Sequence, residues 1–301
     1  MITTTFSNTR PASMGLMAVK QETTMVKPLE ESFIDYCRCL CACPVVLRVF
    51  AHDSGNEFKN DKTAFLQRKT IATDTVVFKL YKDGVFLDNL DSTYGDFYDF
   101  GDLADPYLNG CLLHWDEVYD LHGYGVYQII TSLTSIGTAI DIESDYFELC
   151  ESTDDRADGT VRIETYQNGY ILSGTDYTGL NWYQQHRLPG WFGDKKPTFE
   201  TDNYLKGDRE ISQIQDSIRN VYTLETELLP ESLLNWITYD GLLSNRILIT
   251  DYNLCTFERY QKLEVYPESI DDFSTFRRTP NGLGRFKFTD KKQNILKRNF
   301  I

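Results

Sequence analysis

Two dipeptides, Asp83-Gly84 and Asn168-Gly169, constrain this chain more than any other feature. In "TDTVVFKLYKDGVFLDNL", Val76, Phe78 and Leu80 alternate, Lys82-Asp83-Gly84 interrupt the run, and Val85-Phe86-Leu87 resume it. Asp-Gly between apolar runs is the strongest short hairpin signal, because both turn residues must accept positive φ. In "DGTVRIETYQNGYIL", Val161, Ile163 and Thr165 alternate, and Asn168-Gly169 predicts a turn into Tyr170-Ile171-Leu172. Residues 33–50, 68–90 and 123–142 also read as strands, as do "RILITDY" and "RYQKLEVYP" further on. The expectation is a mainly β protein, an antiparallel sandwich or barrel, with a minor helical segment and extended terminal arms. An α+β arrangement is the alternative.

Helical periodicity is best in residues 209–243, where Ile211, Ile214, Ile218 and Val221 recur at three- and four-residue spacing. Pro230 is expected to open a second short helix bearing Leu233, Leu234 and Ile237, with Gly241 as its stop. Residues 177–205, aromatic and punctuated by Gly and Pro, read as a long irregular loop. The organisation expected is an N-terminal arm (1–30), a β-rich domain (31–175), a mixed loop, helix and strand region (176–276) and a basic C-terminal arm (277–301).

Charge is unevenly spread. The net charge is −15, yet residues 83–155 hold 17 Asp and Glu and no Lys or Arg, whereas residues 277–301 hold eight Lys and Arg and one acid. So acidic a block repels nucleic acid, which argues against sequence-specific DNA or RNA binding through it. Asp91, Asp96, Asp99, Asp102 and Asp105 are its candidate surface. The basic tail carries Arg277, Arg278, Lys291, Lys292, Lys297 and Arg298 among the apolar anchors Phe286, Phe288 and Phe300. That mixture predicts an arm that docks on another subunit. No apolar run is long enough for a transmembrane helix, so no membrane insertion is expected. The N-terminus lacks the pattern of a secretory signal, which points to a reducing compartment.

Cys37, Cys39, Cys41 and Cys43 stand at alternate positions in "CRCLCAC". On a strand their sulfurs share one face, roughly 6.5–7 Å apart, too far for one straight strand to close a site with ~2.3 Å Zn–S bonds. They read as a buried strand face, and no metal or cofactor is expected. Asp96, Asp99, Asp102 and Asp105 are three apart, which does not match a calcium loop. There is no GxSxG, Walker-type loop or HExxH, so no catalytic residues are assigned and no enzymatic activity is expected. Trp182, Trp191 and Phe192 are candidate interface anchors. The same aromatics in 177–205 support the alternative, an adhesin-like domain that stacks on carbohydrate or another ligand.

The stretches "QIQDSIRNVYTLETELLP", "NRILITDYNLCTFERYQKLEVYP" and "FKFTDKKQNILKRNFI" resemble tail, collar or ring proteins of tailed bacteriophages, particularly crAss-like phages. The resemblance covers about a third of the chain and carries no site motif. It implies a non-enzymatic virion protein, made in the host cytoplasm, that forms a homo-oligomeric ring in the tail or collar. Its partners would be copies of itself, other tail or portal-proximal proteins, and genomic DNA passing without sequence-specific contact.

Overall fold

Asp83 and Gly84 have φ of 51° and 78°, both left-handed, so the first predicted hairpin closes through the turn its sequence specifies. It joins β3 (Thr75–Lys82) to β4 (Val85–Asn89). The computed structural model describes residues 46–51, 60–68, 73–99, 108–135, 137–150, 159–167, 171–172, 175–176, 182–205, 211–253, 260–275, 281–290 and 294–297. These are mostly strand, with two short α-helices.

The first body is a sandwich. β1 (Val46–Phe50), β7 (Gly125–Ser135) and β8 (Thr138–Cys150) join the hairpin in the order β1-β8-β7-β3-β4, with only β1 and β8 parallel. The second sheet is β2 (Lys62–Arg68), β6 (Leu108–His114) and β5 (Gly95–Asp99), in the order β2-β6-β5. Aromatic rings fill the space between: Phe65 of β2 meets Phe147 of β8 edge-on at 6.2 Å, and Trp115 lies 5.2 Å from Phe147. Trp115 opens helix α1 (Trp115–His122), whose C-terminal carbonyl at His122 accepts a 2.6 Å bond from Lys82 Nζ. A cation there offsets the negative end of the helix dipole.

The second body is a closed barrel. Its strands are β9 (Thr160–Gln167), β12 (Trp182–Leu205), β13 (Ile211–Thr226), β15 (Arg246–Asp251), β16 (Leu263–Thr275) and β17 (Asn281–Asp290). Each pairs antiparallel with two neighbours in the circuit β9-β12-β13-β17-β16-β15 and back to β9. Closure removes the open edges of a flat sheet. Side chains of one face fill the inside: Ile163, Leu188, Phe192, Leu224, Ile249, Val265, Phe286 and Phe288 are all buried. Helix α2 (Glu231–Trp236), continued by a π-helical turn over Ile237–Gly241, packs on β17. Gly282 and Gly284 permit that approach: a Cβ on Gly282 would meet Ser274 O and lie 2.7 Å from Leu234 Cδ1. Buried apolar side chains of sandwich and barrel form one continuous cluster.

Several expectations are corrected. The periodicity of Ile211, Ile214, Ile218 and Val221 is not helical, since all four lie on β13; the helix after Pro230 and its end at Gly241 are present. From Trp182 to Leu205 the expected irregular loop is instead the long strand β12. Ile171–Leu172 (β10) does not return along β9 but pairs with Thr175–Asp176 (β11), while β9 pairs with β12 and β15. A division at residue 175 therefore falls between strands of one barrel. The basic arm is not an arm over 281–290, because that segment is β17, inside the circuit. Cys37, Cys39, Cys41, Cys43 and residues 1–30 lie outside the described residues, as do Asp102, Asp105, Arg277, Arg278, Lys291, Lys292, Arg298 and Phe300.

Candidate functional site

β9 alternates two kinds of side chain. Val161, Ile163 and Thr165 take one face and Arg162, Glu164 and Tyr166 the other. Register places Arg187, Gln185 and Tyr183 of β12 beside the second set. That face is polar yet dry, since the end of β1 and the start of β2 cover it: Arg162 is 1% exposed and Glu164 3%.

Asp61, just before β2, is the centre of the joint. Its carboxylate accepts from Arg187 Nε at 2.6 Å and Nη2 at 2.9 Å, a bidentate pair, from Arg162 Nη1 at 3.4 Å and from the Phe50 N–H at 2.9 Å. Arg187 also donates to Thr160 Oγ1 at 3.0 Å and stacks over the Tyr252 and Phe50 rings, 4.1 and 4.8 Å from their centroids. Arg162 Nη2 lies 2.9 Å from Glu164 Oε1. Two guanidiniums thus meet two carboxylates, and the buried cluster is neutral. Burial opposes the charge on Arg162, but Tyr252, Asp61 and Glu164 outweigh it and hold its pKa above the usual arginine value. Removing one member of such a cluster strands a buried charge, at a cost of about 3–5 kcal/mol.

The row continues into a cavity of about 340 Å³ between the barrel and the sandwich. Lys62 N–H donates to Gln185 Oε1 at 2.6 Å, and Gln185 Nε2 reaches Glu164 Oε1 at 3.5 Å. Tyr166 and Tyr183, with ring centroids 5.0 Å apart, wall the cavity, and Leu112 and Lys262 complete it. The Tyr183 phenol is pushed well above its ordinary value, first by burial and then by Glu164. On the opposite face of β12, His186 is buried against Trp236, ring centroids 3.9 Å apart. Neither ring nitrogen has a hydrogen-bond partner among the described residues, and burial pushes the pKa down to about 3.

The predicted site residues do not converge here. Trp182 is buried edge-on to Tyr98 of β5, and Phe192 is buried in the barrel beside Tyr222 and Phe288. Trp191 alone of the three is partly exposed, with Nε1 bonded to Glu225 Oε2 at 3.0 Å. Phe286 and Phe288, read as anchors for a neighbour, are 0% and 1% exposed within this chain's own barrel, so they are core residues. Lys297 belongs to a short strand, β18 (Asn294–Lys297), paired with β13. Asp91, Asp96 and Asp99 are exposed, Asp91 in a turn with Thr93 and Asp96 3.2 Å from His114 Nε2. Among the described residues no group of three or more His, Cys, Asp or Glu is placed to hold a metal ion, and no helix is long and apolar enough to cross a membrane.

Asp61, Arg162, Glu164 and Arg187 were missed by the sequence reading. The only signal was the alternation in "TVRIETYQ", whose polar set is ordinarily the solvent side of a strand. No protein-family model matches the chain, and no curated protein shows significant similarity to it.

Proposed function

We propose that this protein is a non-enzymatic virion component, a subunit of a homo-oligomeric ring in the tail or collar of a tailed bacteriophage, surrounding the DNA channel. The observation that carries the reading is a ribbon that outruns the barrel. Past the bulge between Gly193 and Lys196, β12 and β13 remain paired through Leu205 and Ile211. Beyond Val221, which still pairs with Thr289 of β17, the described strand pairings add only β18, along Gln215–Ile218. Ten residues of strand extend about 30 Å. On this ribbon Phe199 pairs with Ile218, and the two are 60% and 44% exposed. An apolar cross-strand pair on a projecting ribbon suits a heterologous contact, the kind that closes copies into a ring. The exposed Asp91, Asp96 and Asp99 suit a surface from which DNA is repelled as it passes.

Mass photometry of the purified chain tests the proposal. A discrete ring of several copies is expected, and Phe199→Asp with Ile218→Asp should return monomers that melt like the wild type. A chain that stays monomeric at every concentration, or rings indifferent to both substitutions, would refute it.

A further inference from the structure

Two strands of this chain end their sheets with one edge open. β4 closes the order β1-β8-β7-β3-β4, and among the described residues only β3 pairs with it. β18 has β13 as its one paired neighbour among the described residues, along Gln215–Ile218. An open edge offers a row of backbone N–H and C=O groups to another strand. The two edges match in length, five residues (Val85–Asn89) against four (Asn294–Lys297). They differ in sign. At β4 stand the exposed Asp83 and Asp88, and residues 83–155 contain no Lys or Arg to offset them. The two lysines of β3 that pair with β4 are engaged elsewhere, Lys82 with the His122 carbonyl and Lys79 4.0 Å from Asp141. Around β18, residues 291–301 hold Lys291, Lys292, Lys297 and Arg298 and no acid. Opposite charge favours β18 against β4 over either edge against itself. β4 is also apolar where a neighbour would cover it, with Val85 63% and Phe86 48% exposed. Consecutive strand residues take opposite faces, so one of these two joins whichever face carries Phe199 and Ile218. Phe199 pairs with Ile218, and Ile218 with Asn294 of β18. A strand added outside β18 would stand two strand spacings from Ile218, about 10 Å.

We infer that β18 of one copy adds to β4 of the next, so that the five-stranded sheet of one subunit runs on into the projecting ribbon of its neighbour. The inference rests on the ring reading, of which it names the receiving surface. Because the two edges differ, the contact is heterologous and closes only as a ring. Val85→Lys with Asn89→Lys places two bases on the edge that receives the basic strand, at positions that are both exposed. In the full chain this variant should raise the concentration at which half the copies are assembled, read by mass photometry, at least about tenfold, and should melt like the wild type. A second measurement needs no substitution. Carbodiimide treatment of a mixture of isotope-labelled and unlabelled chains should join Asp83 or Asp88 to Lys291, Lys292 or Lys297 in pairs that carry both labels. Rings that form from the variant as readily as from the wild type, or links of this kind that are absent or confined to one chain, would overturn the inference and leave the ring standing. A wild-type chain that forms no ring overturns both.

Discussion

Acid should loosen the barrel through His186. In the folded chain its imidazole is buried against Trp236, and its pKa falls from 6.5 to about 3. The cause is desolvation, since burial penalises the charged ring. Above pH 6.5 the ring is neutral in both folded and unfolded chains, and protonation contributes nothing. Below 6.5 the unfolded chain takes up a proton that the folded chain refuses, so stability falls as pH falls, down to about pH 3. Each tenfold difference in proton affinity is worth 1.36 kcal/mol, which gives a loss of about 2 kcal/mol by pH 5 and roughly 5 kcal/mol at the limit. Carboxylates titrate in the same range, so the comparison is with His186→Leu, which keeps side-chain volume, removes the titrating group and should cost under about 1.5 kcal/mol at neutral pH. Urea unfolding of both proteins at pH 7 and pH 5 is the assay. Wild type should lose about 2 kcal/mol relative to the variant over that interval. A difference independent of pH, or one that favours wild type in acid, would show that His186 is not held neutral and that the reasoning is wrong.

Two further substitutions probe the frame. Asp61→Asn keeps the shape but strands Arg187 and Arg162, and should lower stability by about 3–5 kcal/mol in urea unfolding. Gly282→Val drives a side chain into Ser274 O and Leu234 and should cost about 1–3 kcal/mol by overpacking, measured as a lower melting temperature.

Local chemistry was legible where it acted locally. Asp83-Gly84 closes its hairpin because the turn needs only two residues of the right kind. The helix after Pro230 forms because proline suits a helix start. β13 was misread because its register against β12 shifts between Gln215 and Gln213, which leaves Ile214 outside the pairing. Ile211, Ile214, Ile218 and Val221 then need not keep a period of two, and their spacing imitates a helix. β12 was misread because Pro189, Pro197 and Gly193 look like breakers. Pro189 stands at the last pair with β9, and Pro197 lies beyond it on the ribbon, where a strand tolerates a missing donor. The joint was hidden for a different reason. Arg162 and Glu164 sit on the polar side of an alternating strand, and only Asp61, about a hundred residues earlier, turns that side into an interior. No local pattern contains that pairing.

The circuit of the barrel also dictates the order in which the chain can fold. β9 pairs with β12 nearby and with β15 far along the chain, and the strand that closes the ring between β13 and β16, β17, is the last of the six to be synthesised. Until Asp290 has left the ribosome, β13 and β16 lack this common neighbour, and Phe286 and Phe288 cannot fill the interior. Contacts of such sequence separation form slowly, and strand edges left waiting invite pairing with other nascent chains. A message truncated ahead of β17 should therefore yield aggregate in place of a smaller folded body, and slower translation would lengthen the interval in which those edges stand open.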